Sequence, residues 1–356
     1  MNTESTPGGQ QALSLEARRQ LMNESLEERF RHAGDSALTR GLKVLVRRHR
    51  ENQNCPVPRP RRMSGGTEGA TGVTEAQPPA MPVDPQDLRA RLQKMPGLPP
   101  LAGELLASFA NEEIDLSTLG KRIALDQALL ARVLRIANSP FYGLRGQVLS
   151  IDEAIMVLGV RAVRTLVLSA ALVSGFRDRQ CTGFQPERFW HHSVAVAIAA
   201  RSLAKRIGVN ADQVYVDGLL HDLGRYALAV CYPASYQAVL DWQQRRQCML
   251  RQAERDVLGL DHALAGGVLA QLWGLPERFA NVMQMHHTPD SEVDAALVHL
   301  GDVLAHAIDL GREGDDFVPP PDEAAWACFK PGEALLLEVF EEAERSFDEA
   351  CRALLN

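Results

Sequence analysis

From Pro85 onward, apolar residues recur at three- and four-residue spacing, interrupted by Pro, Gly, Asn and Ser, the pattern of helices joined by short turns. The spacing predicts helices over Pro85–Lys94, Gly103–Asn111, Ser117–Ala124 and Ala128–Asn138. The first pair is separated by the extended MPGLPPL. The last carries Leu129, Val133 and Ile136 on one face and ends at Asn138-Ser139-Pro140. Ile151–Leu158 and Ala162–Ser174 follow, with Gly159 as the cap between them. A second lobe opens with Pro186–Ile207, whose stripe is Phe189, His192, Val196, Ala199, Leu203 and Ile207. It continues through Gln213–Gly224, Ala263–Leu272, a helix started by Pro276 and stopped by Pro289, and Asp294–Ile308. Residues 313–330 read as a loop, and Gly332–Leu355 as a closing helix with Leu335, Leu336, Val339 and Phe340 inward and Glu338, Glu341 and Glu342 outward. No stretch alternates as a strand does. The expected fold is all-α in two helical lobes.

Upstream the pattern weakens. Leu15–Arg31 and Ser36–Arg50 each predict a short amphipathic helix, read as a solvated appendage, while Asn52–Asp84 is rich in Pro, Gly, Thr and Ser and poor in large apolar residues. That stretch is a linker, too polar to offset its ordering entropy by burial. The expected division is therefore 1–85 as a basic, largely disordered appendage and linker, 86–182 as the first lobe, 183–312 as the second, and 313–356 as an acidic loop with its helix.

Composition narrows the classes. A hydrophobic content of 46% over 356 residues supplies a core, and no apolar run reaches the length of a membrane span. The N-terminus has no basic start followed by an apolar segment, so a cytoplasmic location is expected. The six cysteines have neither CxxC spacing nor a disulfide pattern. A formal charge of −7 argues against wholesale nucleic-acid binding. Residues 29–62 are the exception, with ten Lys/Arg against Asp35 and Glu51, and are a candidate weak contact for an anionic surface.

The chemistry gathers around QVYVDGLLHDLG, residues 213–224, where His221 and Asp222 stand among Leu219, Leu220 and Leu223. A carboxylate at the edge of an apolar core needs a partner, and a divalent cation accepts a carboxylate and a neutral imidazole together. Further candidate ligands occur on successive helices: His192 on its buried stripe, His262 after the N-cap residue Asp261, the pair His286-His287, and Asp302 in register with Ala295 and Val298. His299 and His306 fall on another side of their helix and read as bystanders.

Over roughly residues 89–310 the chain resembles the HDOD family, the HD-related output domains of bacterial signalling proteins. The resemblance rests on Leu98-Pro99-Pro100-Leu101, Leu125-Asp126-Gln127-Ala128-Leu129, the run Leu134 to Gly143, Ser150-Ile151-Asp152-Glu153-Ala154-Ile155 and Leu158-Gly159 in the first lobe. In the second it rests on Trp190-His191-His192-Ser193, Gly218 to Gly224, Trp273-Gly274-Leu275-Pro276 and His286-His287. It implies a signalling protein working through contacts with signalling partners, with a second lobe related to HD phosphohydrolases. In those enzymes the positions matching His192, His221, Asp222 and Asp302 hold a metal, and in the related HD-GYP phosphodiesterases further histidines, here His262, His286 and His287, hold a second. The set implies one or two divalent ions, Mn, Fe, Zn or Mg, with Asp222 as the natural bridge because a carboxylate has two oxygens. The alternative function is a metal-dependent phosphohydrolase of a nucleotide or cyclic dinucleotide, with Asp222 as its key residue. Two departures bear on it: Thr288-Pro289-Asp290 replaces the Glu and Gly-Tyr-Pro of HD-GYP enzymes, and Arg225 stands in place of the expected lysine, a candidate phosphate-binding residue because its planar fork can donate to two oxygens.

Overall fold

The computed structural model describes residues 15–53, 77–111, 126–139, 146–175, 183–290, 292–311 and 317–355, together with Ile123 and Tyr142. Among these residues every regular element is a helix. In chain order they are α1 (Leu15–Arg29), α2 (Ala37–Asn52), α3 (Pro85–Lys94), α4 (Pro100–Asn111), α5 (Gln127–Ala137), α6 (Ile151–Leu158) and α7 (Val160–Gly175). Then come α8 (Pro186–Ile207), α9 (Ala211–Leu220), α10 (Leu223–Cys231), α11 (Pro233–Arg246), α12 (Leu250–Leu258), α13 (His262–Leu272), α14 (Glu277–Met285), α15 (Val293–Ala307), α16 (Glu323–Phe329) and α17 (Glu333–Leu355). The helix expected over Ser117–Ala124, apart from Ile123, and the heart of the linker, 54–76, lie outside the described residues. None of the described helices is long and apolar enough to cross a membrane.

The boundaries follow local chemistry. Ser36, Asp84, Asp126, Ser150, Asn210 and Asp261 each accept a backbone N–H of the first turn they precede. Gly159, at φ 83°, ends α6 in a conformation that a side chain disfavours. Residues 313–330 are not loop throughout: α16 forms inside them, capped by Asp322, whose carboxylate accepts from Ala325 N at 2.7 Å.

In the first lobe α7 lies buried along most of its length, with α4, α5 and α6 packed against it. In the second, the long helix α8 is the axis around which α9, α15 and α17 pack. Small residues bring the backbones together. A Cβ on Gly218 of α9 would lie 2.7 Å from Ala197 Cα, and one on Gly301 of α15 would lie 2.7 Å from Ala200 Cβ. This close approach sets His192, near the start of α8, opposite the end of α9 and the middle of α15.

Three segments sit elsewhere than expected. Helix α3 packs on α10 and α13 of the second lobe: Arg91 lies over the Tyr232 ring at 4.7 Å and Tyr232 Oη donates to Asp87 at 2.9 Å. The end of the linker joins it, with Met81 N and Val83 N donating to Val257 O and Leu258 O. Helices α1 and α2 are not a solvated appendage. Met22, Leu26, Phe30, Leu42, Leu45 and Val46 are buried, and α2 packs on α15 and α17. The basic residues there are largely engaged within the protein: Arg50 donates to Ile308 O at 2.8 Å, Lys43 meets Glu27 at 2.7 Å and Arg40 meets Asp35 at 3.0 Å. Arg59, Arg61 and Arg62 lie outside the described residues.

The acidic side of α17 is also partly engaged. Glu342 accepts from Arg206 at 2.5 Å and from Ser202 at 2.9 Å, tying α17 to α8. Burial pushes its carboxyl up, but the bonds to Arg206 and Ser202 outweigh this and leave it below the usual glutamate value. A lowered acid contributes stability above its unfolded pKa, and that contribution disappears as pH falls through the folded one. Glu342→Gln is therefore expected to lower the urea midpoint at pH 7, with the difference from wild type shrinking as pH falls below the ordinary glutamate pKa.

Candidate metal centre

The ends of α9 and α14, the starts of α8 and α13, and the body of α15 meet at one point. Asp222, in the junction between α9 and α10, is its centre. Its Oδ1 lies 3.2 Å from His262 Nε2, 3.5 Å from His286 Nε2 and 3.6 Å from His221 Nε2. Its Oδ2 lies 3.6 Å from His192 Nε2, and that nitrogen is 3.5 Å from Asp302 Oδ1. His287 Nε2 approaches His262 Nε2 at 2.8 Å. The structure thus brings together all seven candidate ligands, His192, His221, Asp222, His262, His286, His287 and Asp302, and adds His306, whose Nε2 is 3.2 Å from Asp302 Oδ1.

The tautomers follow from the acceptors on the far side of three rings. His221 Nδ1 faces Gly218 O at 2.7 Å and His286 Nδ1 faces Met283 O at 2.9 Å. A carbonyl only accepts, so each Nδ1 carries the proton and, in the neutral ring, each Nε2 presents a lone pair. His262 Nδ1 donates to Glu254 at 2.5 Å, the carboxylate–histidine arrangement that orients metal ligands. The Nε2 lone pairs of His221 and His286 therefore point at one carboxylate oxygen beside His262 Nε2, an arrangement that a cation between them would stabilise. His286 Nε2 is buried with no hydrogen-bond partner among the described residues. Donors about 2.0–2.2 Å from a shared ion lie roughly 2.9–3.6 Å from one another, the range seen around Asp222. These residues fit a divalent ion, and an imidazole-rich set suits Fe or Zn better than Mn or Mg.

Electrostatics agree with that chemistry. Burial, then the charge of neighbouring histidines, depresses His286 and His192 to about 3, leaving both neutral and able to donate lone pairs. Burial pushes Asp222 up, but His221, His262 and Arg225 outweigh it and hold the carboxyl well below the usual range. Burial lowers His262, and Glu254 and Asp222 more than restore it.

Several residues around the centre were not read from the sequence. Glu254 is fully buried and also accepts from His262 N at 2.9 Å. Its signal was an acid within the apolar stripe Leu250, Ala253, Val257 and Leu258. His299 and His306 are not bystanders. His299 is buried, donates from Nδ1 to His286 O at 2.8 Å and accepts Asp322 N–H at 2.9 Å, so it holds the ligand-bearing turn against the segment before α16. Arg225 Nη1 donates to Asp222 Oδ2 at 2.9 Å, and its guanidinium is turned to the carboxylate. Arg225 also lines a cavity of about 270 Å³ with Phe184, Gln185 and Arg188.

The described residues thus form an all-helical, two-lobed fold in which a His-Asp pair is ringed by histidines. The model of the HDOD domain matches residues 95–289, more than half of the chain, and the chain belongs to the HDOD family. An uncharacterized protein of Treponema pallidum is 30% identical over 199 residues, 55% of this chain and 38% of that one, so the match spans well under half of that relative's length. An HDOD domain protein of unknown function from Geobacter sulfurreducens shares the fold, with a TM-score of 0.65 and 24% identity over 76% of this chain and 98% of that one. A protein of Shewanella amazonensis, provisionally called a phosphohydrolase, superposes with a TM-score of 0.61 and 26% identity over 75% of this chain and 98% of its own. A Marinobacter aquaeolei protein, provisionally called a signal transduction protein, shares the fold at a TM-score of 0.59 and 21% identity, over 76% and 65% of the two chains.

Proposed function

We propose that this chain is a signalling output protein whose HD-type cluster holds one or two divalent ions in a closed site and which acts through contacts with a protein partner. The observation that carries the reading is closure: the side chains of His192, His221, Asp222, His262, His286 and Asp302 are 0–5% exposed. A catalytic ion keeps a position open to substrate and water, whereas a structural or sensing ion is enclosed by protein donors. Arg225 supports the same reading, because a guanidinium bonded to Asp222 is not presented to a phosphate. In the first lobe Leu149, Met156 and Val157 are 55–79% exposed on and beside α6, apolar surface of the kind partner contacts use.

When bound, the ion would supply the positive charge that the converging lone pairs and the carboxylates of Asp222 and Asp302 call for. Glu254 and the carbonyls of Gly218 and Met283 hold the ring protons away from it, and His299 fixes the backbone that carries His286.

The test is elemental analysis of protein purified without chelators or a metal-affinity tag, followed by assay on bis(p-nitrophenyl) phosphate and cyclic dinucleotides. One or two equivalents of a transition ion per chain and no turnover are expected. The second reading, a metal-dependent phosphohydrolase, draws on the Shewanella amazonensis relative. Turnover that Asp222→Asn abolishes would replace the first reading with it.

A further inference from the structure

We propose that His306 is itself a metal ligand, and that with Asp302 and His192 it forms an ion position distinct from the one at Asp222 Oδ1. The inference rests on the reading that the cluster binds metal, and deepens it by dividing the donors between two places. Asp302 and His306 are four residues apart on α15, so their side chains project from the same face one turn apart. His192 meets them from α8. His306 Nε2 is 3.2 Å and His192 Nε2 3.5 Å from Asp302 Oδ1, and the two rings lie 4.9 Å apart at 42°. One ligating atom from each residue falls within 4.8 Å of the other two.

The donors at Asp222 Oδ1 are occupied elsewhere, by His221, His262 and His286, and Asp222 Oδ2 is shared with Arg225. Asp302 is therefore the remaining carboxylate around which a second set gathers. The His306 side chain is 13% exposed, against 0–5% for His192, His221, Asp222, His262, His286 and Asp302. The end of α15 is also held in place. Arg29 Nη1 donates to His306 O at 3.1 Å and pairs with Asp309 at 2.8 Å, and Arg50 donates to Ile308 O at 2.8 Å. Both arginines come from α1 and α2, outside the residues matched to the family, so the second position is braced by a part of the chain that the family match does not include.

A hydrogen bond from His306 to Asp302 without ligation is the competing explanation, and ligand exchange separates the two. The full chain is loaded with Co(II) in competition with a chromophoric chelator, for wild type, His306→Gln and His306→Cys. Wild type is expected to take up Co(II) in two steps. His306→Gln keeps a donor for Asp302 but loses the imidazole, and is expected to weaken one step at least about 30-fold while leaving the other within about twofold. His306→Cys is expected to add a thiolate-to-Co(II) charge-transfer band in the near ultraviolet, absent from wild type, because a thiolate ligates directly. Two unchanged steps in His306→Gln, with no such band in His306→Cys, would overturn the inference while leaving metal binding intact. Wild type that takes up no Co(II) would overturn both the inference and the reading beneath it.

Discussion

Gly224→Ala is expected to be among the most destabilising single-methyl additions in the chain, by about 4 kcal/mol or more, and to release metal as well. The added Cβ would lie 1.9 Å from His262 O, 2.7 Å from Gly266 N and 2.8 Å from His262 C. Every one of these atoms is backbone, so no rotamer change relieves the overlap and α10 must part from α13. Ordinary overpacking costs about 1–3 kcal/mol because side chains give way, and here they cannot. Moving α13 also moves His262, whose Nε2 is 3.2 Å from Asp222 Oδ1. The glycine after the His-Asp pair is thus the contact that lets two ligand-bearing segments meet. Gly103→Ala is the control: it sits within α4, a Cβ there meets nothing within 4 Å, and helix propensity predicts a gain of up to about 1 kcal/mol. Urea midpoints and metal content of both variants check the argument, and a Gly224→Ala protein as stable as wild type would contradict it.

What could be read in the sequence, and what could not, divides on physical grounds. Helices of both lobes were legible where stripes are regular and caps unambiguous, as with Asp261 before His262, Gly159 after Leu158 and Pro276 before Glu277, whereas α11 and α12 were not read. His192 was legible as a buried position because its helix has a periodic stripe. His299 and His306 were not, because α15 is buried on nearly every side from Ala295 to Ala307 and such a helix has no polar face to mark a bystander. Glu254 was missed because a single acid in an amphipathic helix resembles a surface residue unless its register is followed. The positions of α1, α2 and α3 were misjudged for a different reason. Their basic and polar composition describes the side facing solvent, while the face that packs is small and depends on partners far away in the chain: Val318 N donates to Arg29 O, and His49 meets Glu344 at 2.9 Å. Tertiary contacts of that range leave no local pattern.

Asp222→Ala is expected to abolish metal binding at the position around Asp222 Oδ1 and to destabilise the metal-free protein as well, by about 3–5 kcal/mol. The two effects share a cause. Asp222 is the anion on which His192, His221, His262, His286 and Arg225 converge, and its own side chain is 5% exposed. Truncating it leaves a largely buried guanidinium at Arg225 without this counter-charge and His262 without one of the two carboxylates that hold its proton. Asp222→Asn separates the contributions. The amide keeps the shape and one acceptor for Arg225 but carries no charge, so it should recover part of the stability and little of the affinity. A ligand that binds only the folded state stabilises it by about 2.7 kcal/mol at one hundred times its dissociation constant. Wild type should therefore gain several degrees in thermal midpoint on adding Zn or Mn, and both Asp222 variants should gain clearly less. If instead Asp222→Ala unfolds at the same temperature as metal-free wild type, the carboxylate is not the centre of the network. If it keeps the whole of the metal-dependent shift, Asp222 holds no ion. The magnitudes make the experiment decisive, because a surface acid of the same helix-rich protein would move neither quantity by more than about 0.5 kcal/mol.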